Sequence, residues 1–255
     1  MKDSVRERFV TFTAAFEGVC PYLYLDNIGL VTTGIGNLVD PIEHALTLPF
    51  YRPDGSLATP SEIAAAWRAV KARTDLAMRG GTVFARVTAL RLTPEGIQRL
   101  VVGKLAEMNG HLVTRLGKAY TDAPADGQLA LLSMAWAAGP YFPYPRLIAA
   151  VKAGDWETAS EECELRAAVV NASLRERNRA NRVLFRNAGR VIGGNLDPEQ
   201  LYWPQDLAAS LAAEEHLSRP ASSPDEDDEA MVTVTDLRDV VQAGIEAYRR
   251  DRGEG

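Results

Sequence analysis

The sequence predicts an α+β fold, with a small N-terminal β-hairpin or sheet region and a mainly helical C-terminal lobe. Three observations carry this. An apolar stripe of helical period opens the chain, a short β-prone stretch with a turn at its centre follows, and from Thr59 onward the pattern is helical for most of the chain.

Val5, Phe9, Phe12 and Phe16 recur at spacings of four, three and four, which is one face of an amphipathic helix. Asp3 or Ser4 can cap its start, and Gly18 supplies the positive-φ residue that ends helices cheaply. Glu17 falls in the last turn, where the negative end of the helix dipole disfavours an ionised carboxylate. Tyr22-Leu23-Tyr24-Leu25 and Leu30-Val31-Thr32-Thr33 then flank Asp26-Asn27-Ile28-Gly29, a connection with turn chemistry at both ends, so a hairpin is expected. Gly34 and Gly36 let the returning strand bend or approach another backbone.

Thr59-Pro60-Ser61-Glu62 reads as a helix start, with suitable positions running through Met78 before Gly80-Gly81 break the pattern. Leu92-Thr93-Pro94-Glu95 opens another helix, with Thr93 as N-cap and Ile97, Leu100, Val101, Leu105 and Met108 as its apolar set. Asp126 to Ala138 is small or apolar on nearly every side and belongs in the centre of a core. Further helices are expected over Pro145 to Ala153, Trp156 to Val170 and Arg179 to Ala188. Ser218 to Glu229 is a polar, acidic linker, and beyond it Leu237, Val240, Val241, Ile245 and Tyr248 share one helical face.

Charge narrows the function classes. Leu217 to Gly255 carries ten acidic and five basic residues, which accounts for most of the chain's net charge of −6. The body is therefore close to neutral and lacks the basic excess of a nucleic-acid binder. No stretch reaches the roughly 18 to 20 apolar residues that span a bilayer, so no membrane insertion is expected. Met-Lys-Asp-Ser-Val-Arg-Glu-Arg-Phe is not followed by an apolar h-region, so synthesis in the cytoplasm without a signal peptide is expected. Cys20 and Cys163 read as buried thiols rather than a disulfide framework. His44, His111 and His216 lack metal-ligand spacing, and no phosphate-binding helix pattern follows Gly34 and Gly36; neither metal nor cofactor is expected.

Cleaving a glycosidic bond usually takes two carboxyls, one giving a proton to the leaving oxygen and one assisting attack at the anomeric carbon. Glu17 at a helix end and Asp26 on a hairpin can face each other in that way, and Thr32 on the returning strand can hold a water beside Asp26. The residue types alone do not select this chemistry, but the string around them does more. Phe16-Glu17-Gly18, Pro21-Tyr22-Leu23-Tyr24-Leu25-Asp26 and Gly29-Leu30-Val31-Thr32-Thr33-Gly34-Ile35-Gly36-Asn37-Leu38 resemble the active-site signature of the T-even phage lysozymes, glycoside hydrolase family 24. The aspartate lies nine residues after the glutamate and the threonine six further on, with no gap. Ala130 to Gly139 is similar to that family's buried central helix, Gly154 to Ala159 to the helix start after it, and Asn178 to Val183 to its arginine-bearing late helix.

The resemblance spans about residues 5 to 190. It implies a lysozyme-like catalytic domain over 1–195, with an enlarged insertion at about 40–91. A trailing segment at 196–216 packed on the body, the acidic linker at 217–232 and an amphipathic helix at 233–255 complete the expected organisation. It further implies Glu17 as general acid among apolar neighbours, Asp26 and Thr32 as the water-handling pair, Leu38 and Trp136 as substrate contacts, and Arg179 as active-site support. Three positions depart from the family: Asn37 where it has histidine, Ile28 where it has an acidic sugar contact, and Ala137 where an amide often follows the aromatic residue. The implied partner is the glycan strand of peptidoglycan, cleaved between N-acetylmuramic acid and N-acetylglucosamine at the cell wall after release or injection. A delivery or loading partner would meet the C-terminal helix. The alternatives are a lytic transglycosylase and a weakly active peptidoglycan-binding module of a phage tail or injection device.

Overall fold

The computed structural model describes residues 1–26, 28–165 and 172–207, which form two units. One unit is Val10–Lys104; the other takes Met1–Phe9 together with the described residues from Leu105 on. The acidic linker and the C-terminal helix expected at 217–255 lie outside the described residues, as do the trailing segment beyond Leu207 and 166–170 of the helix expected to reach Val170. The architecture is α+β, with one small antiparallel sheet and a majority of helix.

Helix α1 (Asp3–Glu17) begins in the second unit and ends in the first. It stops where expected: Gly18 takes φ +70° and its N–H donates to the Ala14 carbonyl at 3.1 Å. The hairpin becomes a three-stranded sheet of β1 (Cys20–Leu25), β2 (Val31–Gly34) and β3 (Asn37–Leu38), in that order. Strand β3 is the addition. Gly34 and Gly36, at φ +65° and +69°, turn the chain back within two residues, and the Asn37 carboxamide oxygen accepts the Ile35 N–H at 3.2 Å inside that turn. A Cβ at Gly34 would lie 3.1 Å from that same oxygen, so the turn needs glycine for space as well as for φ. The position where the resemblance leads one to expect histidine thus has a structural task here.

The segment 40–91 is folded. Helix α2 (Ile42–Leu46) is followed by α3 (Pro60–Lys71), which opens on a capping box: the Glu62 N–H donates to Thr59 Oγ1 at 3.3 Å and the Thr59 N–H to Glu62 Oε2 at 2.7 Å. The helix stops at Lys71, short of the expected Met78. Arg73 leaves helical geometry with ψ 50° and forks onto Asp75, and two 3-10 segments, Thr74–Arg79 and Gly81–Arg86, replace the continuation. Arg52 also forks onto Glu62, at 2.8 and 2.6 Å. Arg52 and then the Thr59 N–H and hydroxyl hold the Glu62 carboxyl down at about 2, below its ordinary 4.5. A depressed carboxyl stabilises the fold above its ordinary value and loses that contribution as the pH falls towards the lowered one. Melting temperatures of wild type and Glu62→Gln should therefore converge as the pH drops from about 5 towards 2. Parallel curves over that window would contradict the cap's role.

The other unit is helical. Helix α4 (Pro94–Leu116) crosses the boundary between units and opens as expected on Thr93, whose Oγ1 accepts the Gly96 N–H at 3.1 Å. After α5 (Lys118–Thr121) comes α6 (Ala125–Ala138), buried from Ala125 through Trp136, as its all-round apolar sequence predicts. Helix α9 (Ala172–Gly193) packs on α6, α8 (Trp156–Glu162) packs on α9 and α7 (Pro145–Ala153) packs on α8, and α8 is capped by Asp155. Gly127 is required by this packing. A Cβ there would meet the Trp156 ring at 3.0 Å and the Ala188 Cβ at 3.3 Å.

Asp126 is fully buried at the start of α6. It accepts Asn187 Nδ2 at 2.9 Å and the backbone N–H groups of Tyr202 and Trp203 at 2.9 and 3.0 Å, pinning the chain that follows α9. Burial raises its carboxyl above the usual range against the pull of those three donors. Lys2 pairs with Glu199, Ser4 Oγ donates to the Glu199 carbonyl, and Arg8 lies over the Trp203 ring at 5.5 Å. Among the described residues, no helix is long and apolar enough to cross a membrane.

Candidate functional site

Glu17, Asp26, Thr32 and Leu38 fall in one unit, on α1 and the sheet that follows it. The sheet register puts Tyr24 opposite Thr32 and Thr32 opposite Leu38, a single cross-strand row. Directly paired residues share a face. Thr32 is 4% exposed in the middle of that row and Leu38 is 46% exposed at its edge.

Irregular pairing places this row. Between Cys20↔Gly34 and Tyr24↔Thr32, the residues Pro21, Tyr22 and Leu23 stand against Thr33 alone, forming a bulge. The buried Thr33 hydroxyl donates across it to the Tyr22 carbonyl at 3.0 Å. Beyond the bulge, Gly81 lies so close to β1 that a Cβ would sit 2.9 Å from Cys20 Sγ and 3.4 Å from the Tyr24 ring.

Asp26 closes the hairpin. Its Oδ1 accepts the N–H groups of Ile28 at 3.0 Å and Leu30 at 2.8 Å, and its own N–H donates to the Leu30 carbonyl at 2.9 Å. This is the chemistry of an Asx turn. It fixes the carboxylate plane and leaves both turn bonds on one oxygen. Thr32 Oγ1 donates to the Leu30 carbonyl at a long 3.3 Å, a bond that uses its hydrogen and not its oxygen lone pairs. Glu17 is the final residue of α1 and is exposed. The apolar surround expected of the acid is not found on the described chain, because the helix ends at the surface and Gly18 beside it is exposed too.

Tyr24 is half-buried on β1. Burial raises its phenol well above the ordinary value, and the charges of Cys20, Glu17 and Asp26 add to that effect in the same direction. Both acids therefore act electrostatically on one hydroxyl, which stays protonated and remains a donor. In the sequence Tyr24 stands only as one of the β-formers of its strand. Its position two residues before Asp26, on the same strand face, was the available signal.

The segment 40–91 braces this hairpin from behind. Lys71 Nζ on α3 donates to the Gly29 carbonyl at 2.8 Å and to Asp40 Oδ2 at 2.6 Å, and Asp40 Oδ2 accepts the Val31 N–H at 3.1 Å. Trp67 Nε1 donates to the Val39 carbonyl at 2.9 Å, so α3 grips the chain on both sides of the turn's strands.

Two expected contacts are corrected. Trp136 is 7% exposed in α6 with its ring centroid 5.3 Å from that of Phe9, which is core packing and not a platform for a sugar. Arg179 is exposed and pairs with Glu176 at 3.0 Å. The arginine taken into the interior of that unit is Arg177, 1% exposed, whose Nη1 donates to the Ser133 carbonyl at 3.3 Å. Helical period explains the exchange: Arg177, Asn181, Leu184 and Ala188 share the buried face, and a shift of two residues turns a side chain about 200° away.

Both cysteines are free, and burial pushes the Cys163 thiol up to about 12. Among the described residues, no group of three or more His, Cys, Asp and Glu side chains gathers as a metal site. No protein-family model matches the chain, and no curated protein matches it.

Proposed function

We propose that the chain is a peptidoglycan hydrolase, a muramidase resembling the T-even phage lysozymes, that cuts between N-acetylmuramic acid and N-acetylglucosamine. The observation that carries the reading is the placement of Asp26 at the hairpin turn, with Tyr24 directly opposite Thr32 across the strand pair and Glu17 ending the helix that leads into it. That gives one solvent-reached carboxyl, one fixed carboxylate, a protonated phenol and a hydroxyl within a single sheet and its preceding helix end.

In this reading Glu17 gives its proton to the glycosidic oxygen as the bond to the anomeric carbon breaks. Positive charge develops on the sugar, and a water attacks from the opposite face. Asp26, held by its turn bonds through Oδ1, takes that water's proton through Oδ2, while the Thr32 oxygen accepts a hydrogen bond from the same water. Inversion at the anomeric carbon then follows, as for paired carboxyls roughly 6.5–9.5 Å apart. Exposed Leu38 and Ile28 offer apolar contact to the sugar faces on the hairpin side.

One observation favours the transglycosylase alternative: the Asp26 carboxylate already serves its own turn, as an ordinary turn aspartate does. Mass spectrometry of the soluble glycan separates the two readings. Hydrolysis leaves a reducing N-acetylmuramic acid, whereas a transglycosylase leaves the anhydro sugar, lighter by one water. Anhydro ends as the main product would overturn the muramidase reading.

The brace makes its own prediction. Lys71→Met should lower kcat about 10- to 100-fold with little change in KM, because it loosens the backbone that aims Asp26. Lys71→Arg should restore most of it. A rise in KM at constant kcat would contradict the positioning role.

A further inference from the structure

Helix α9 carries six arginines and a single glutamate. Arg177 is inside; the other five are Arg175, Arg179, Arg182, Arg186 and Arg190. At 3.6 residues per turn these five fall within an arc of about 80° and extend over about 22 Å of helix. Four of them are exposed and Arg186 is half-buried, so the arc is a basic surface stripe.

Carboxylates from the same unit already sit along it. Glu176 pairs with Arg179 at 3.0 Å, Glu164 with Arg182 at 3.4 Å and Asp206 with Arg186 at 2.9 Å. Asp206 matters most, because it belongs to the segment by which the chain leaves the described structure. Beside it, the Leu207 N–H donates to Asn187 Oδ1 at 3.0 Å and Asn187 Nδ2 to the Gln205 carbonyl at 2.8 Å. The exit of the chain is thus fastened to α9 next to the stripe.

Eighteen residues past Leu207 the sequence reads Asp225-Glu226-Asp227-Asp228-Glu229, five acids in a row. An intervening chain of that length reaches at most about 60 Å, well beyond the length of the stripe, and five extended residues cover about 17 Å of it. Tethering at this length keeps the acidic run at an effective concentration of about a millimolar beside the arginines. We propose that the arginine stripe of α9 is the docking face of the chain's own acidic run, Asp225–Glu229. The contact is electrostatic, weakens with salt and shields the stripe from other polyanions. It is independent of the hydrolase reading.

The test uses the full chain and inorganic polyphosphate as the competing probe. One variant neutralises the run (Asp225→Asn, Glu226→Gln, Asp227→Asn, Asp228→Asn and Glu229→Gln). A second adds Arg175→Gln, Arg179→Gln and Arg190→Gln, which spares the Arg182 and Arg186 pairs. The first should bind polyphosphate about tenfold more tightly than wild type at low salt, and the second should lose that gain. Equal binding by wild type and the first variant, or a gain that survives in the second, overturns the proposal. As a second readout, Arg179→Cys with Asp227→Cys should form an intramolecular disulfide under mild oxidation, mapped by mass spectrometry. Lys152→Cys with Asp227→Cys, placed on α7, should not. Equal cross-linking of both pairs, or cross-links mainly between chains, also overturns it.

Discussion

Glu17→Gln is expected to lower glycan cleavage by about 10²- to 10⁴-fold, the range for loss of a general acid. The amide keeps the size and polarity of the side chain but has no proton to give to a leaving oxygen. The loss should fall on kcat with KM little changed, since glutamine still fills the site. Glu17 ends α1 at an exposed position, so the melting temperature should hardly move. Retained activity in this variant would remove the acid from the mechanism. A loss of activity that tracks a loss of helix would make Glu17 structural.

Asp126→Ala should be the most destabilising single change in the helical unit, at about 3–5 kcal/mol. Three donors converge on this buried carboxylate: the Asn187 amide and the N–H groups of Tyr202 and Trp203. Alanine leaves the half-buried N–H groups of Tyr202 and Trp203 without this acceptor and the Asn187 amide with only the Gln205 carbonyl. The segment that crosses back over α6 would lose its anchor, although the Ala125 N–H still donates to the Pro198 carbonyl at 2.9 Å. Urea unfolding would report the change directly. A loss below about 1 kcal/mol would mean that the segment is held by packing rather than by Asp126.

Legibility in the sequence followed the physics of each signal. Helix starts with a hydroxyl cap and proline, at Thr59 and Thr93, stood where expected, because cap chemistry is local. The α6 core helix was evident from its all-round apolar character. Strand β3 was not, since two residues set by a glycine turn carry no periodic signal. The end of α3 carries no sequence signal either, because the Arg73–Asp75 fork that replaces the helix depends on local geometry that alanine-rich composition hides.

At the candidate site, spacing indicated Glu17, Asp26 and Thr32 together; Asp26 and Thr32 lie on the hairpin, and Glu17 ends the helix before it. What spacing could not supply was the tertiary brace from Lys71, or the pairing of Tyr24 with Thr32 across the bulged strands. Nor could it choose among neighbouring arginines. Arg177 and Arg179 differ by two positions in the sequence and by interior against solvent in the fold. The resemblance pointed to Arg179 as active-site support, and the helical period of the buried face leaves that side chain at the surface.

The most direct test digests purified peptidoglycan with the full chain in water enriched in ¹⁸O and examines the new sugar ends. The account predicts soluble fragments ending in reducing N-acetylmuramic acid, labelled once at the anomeric carbon and formed first as the inverted anomer. Absence of soluble glycan, or fragments that carry no label, would contradict it.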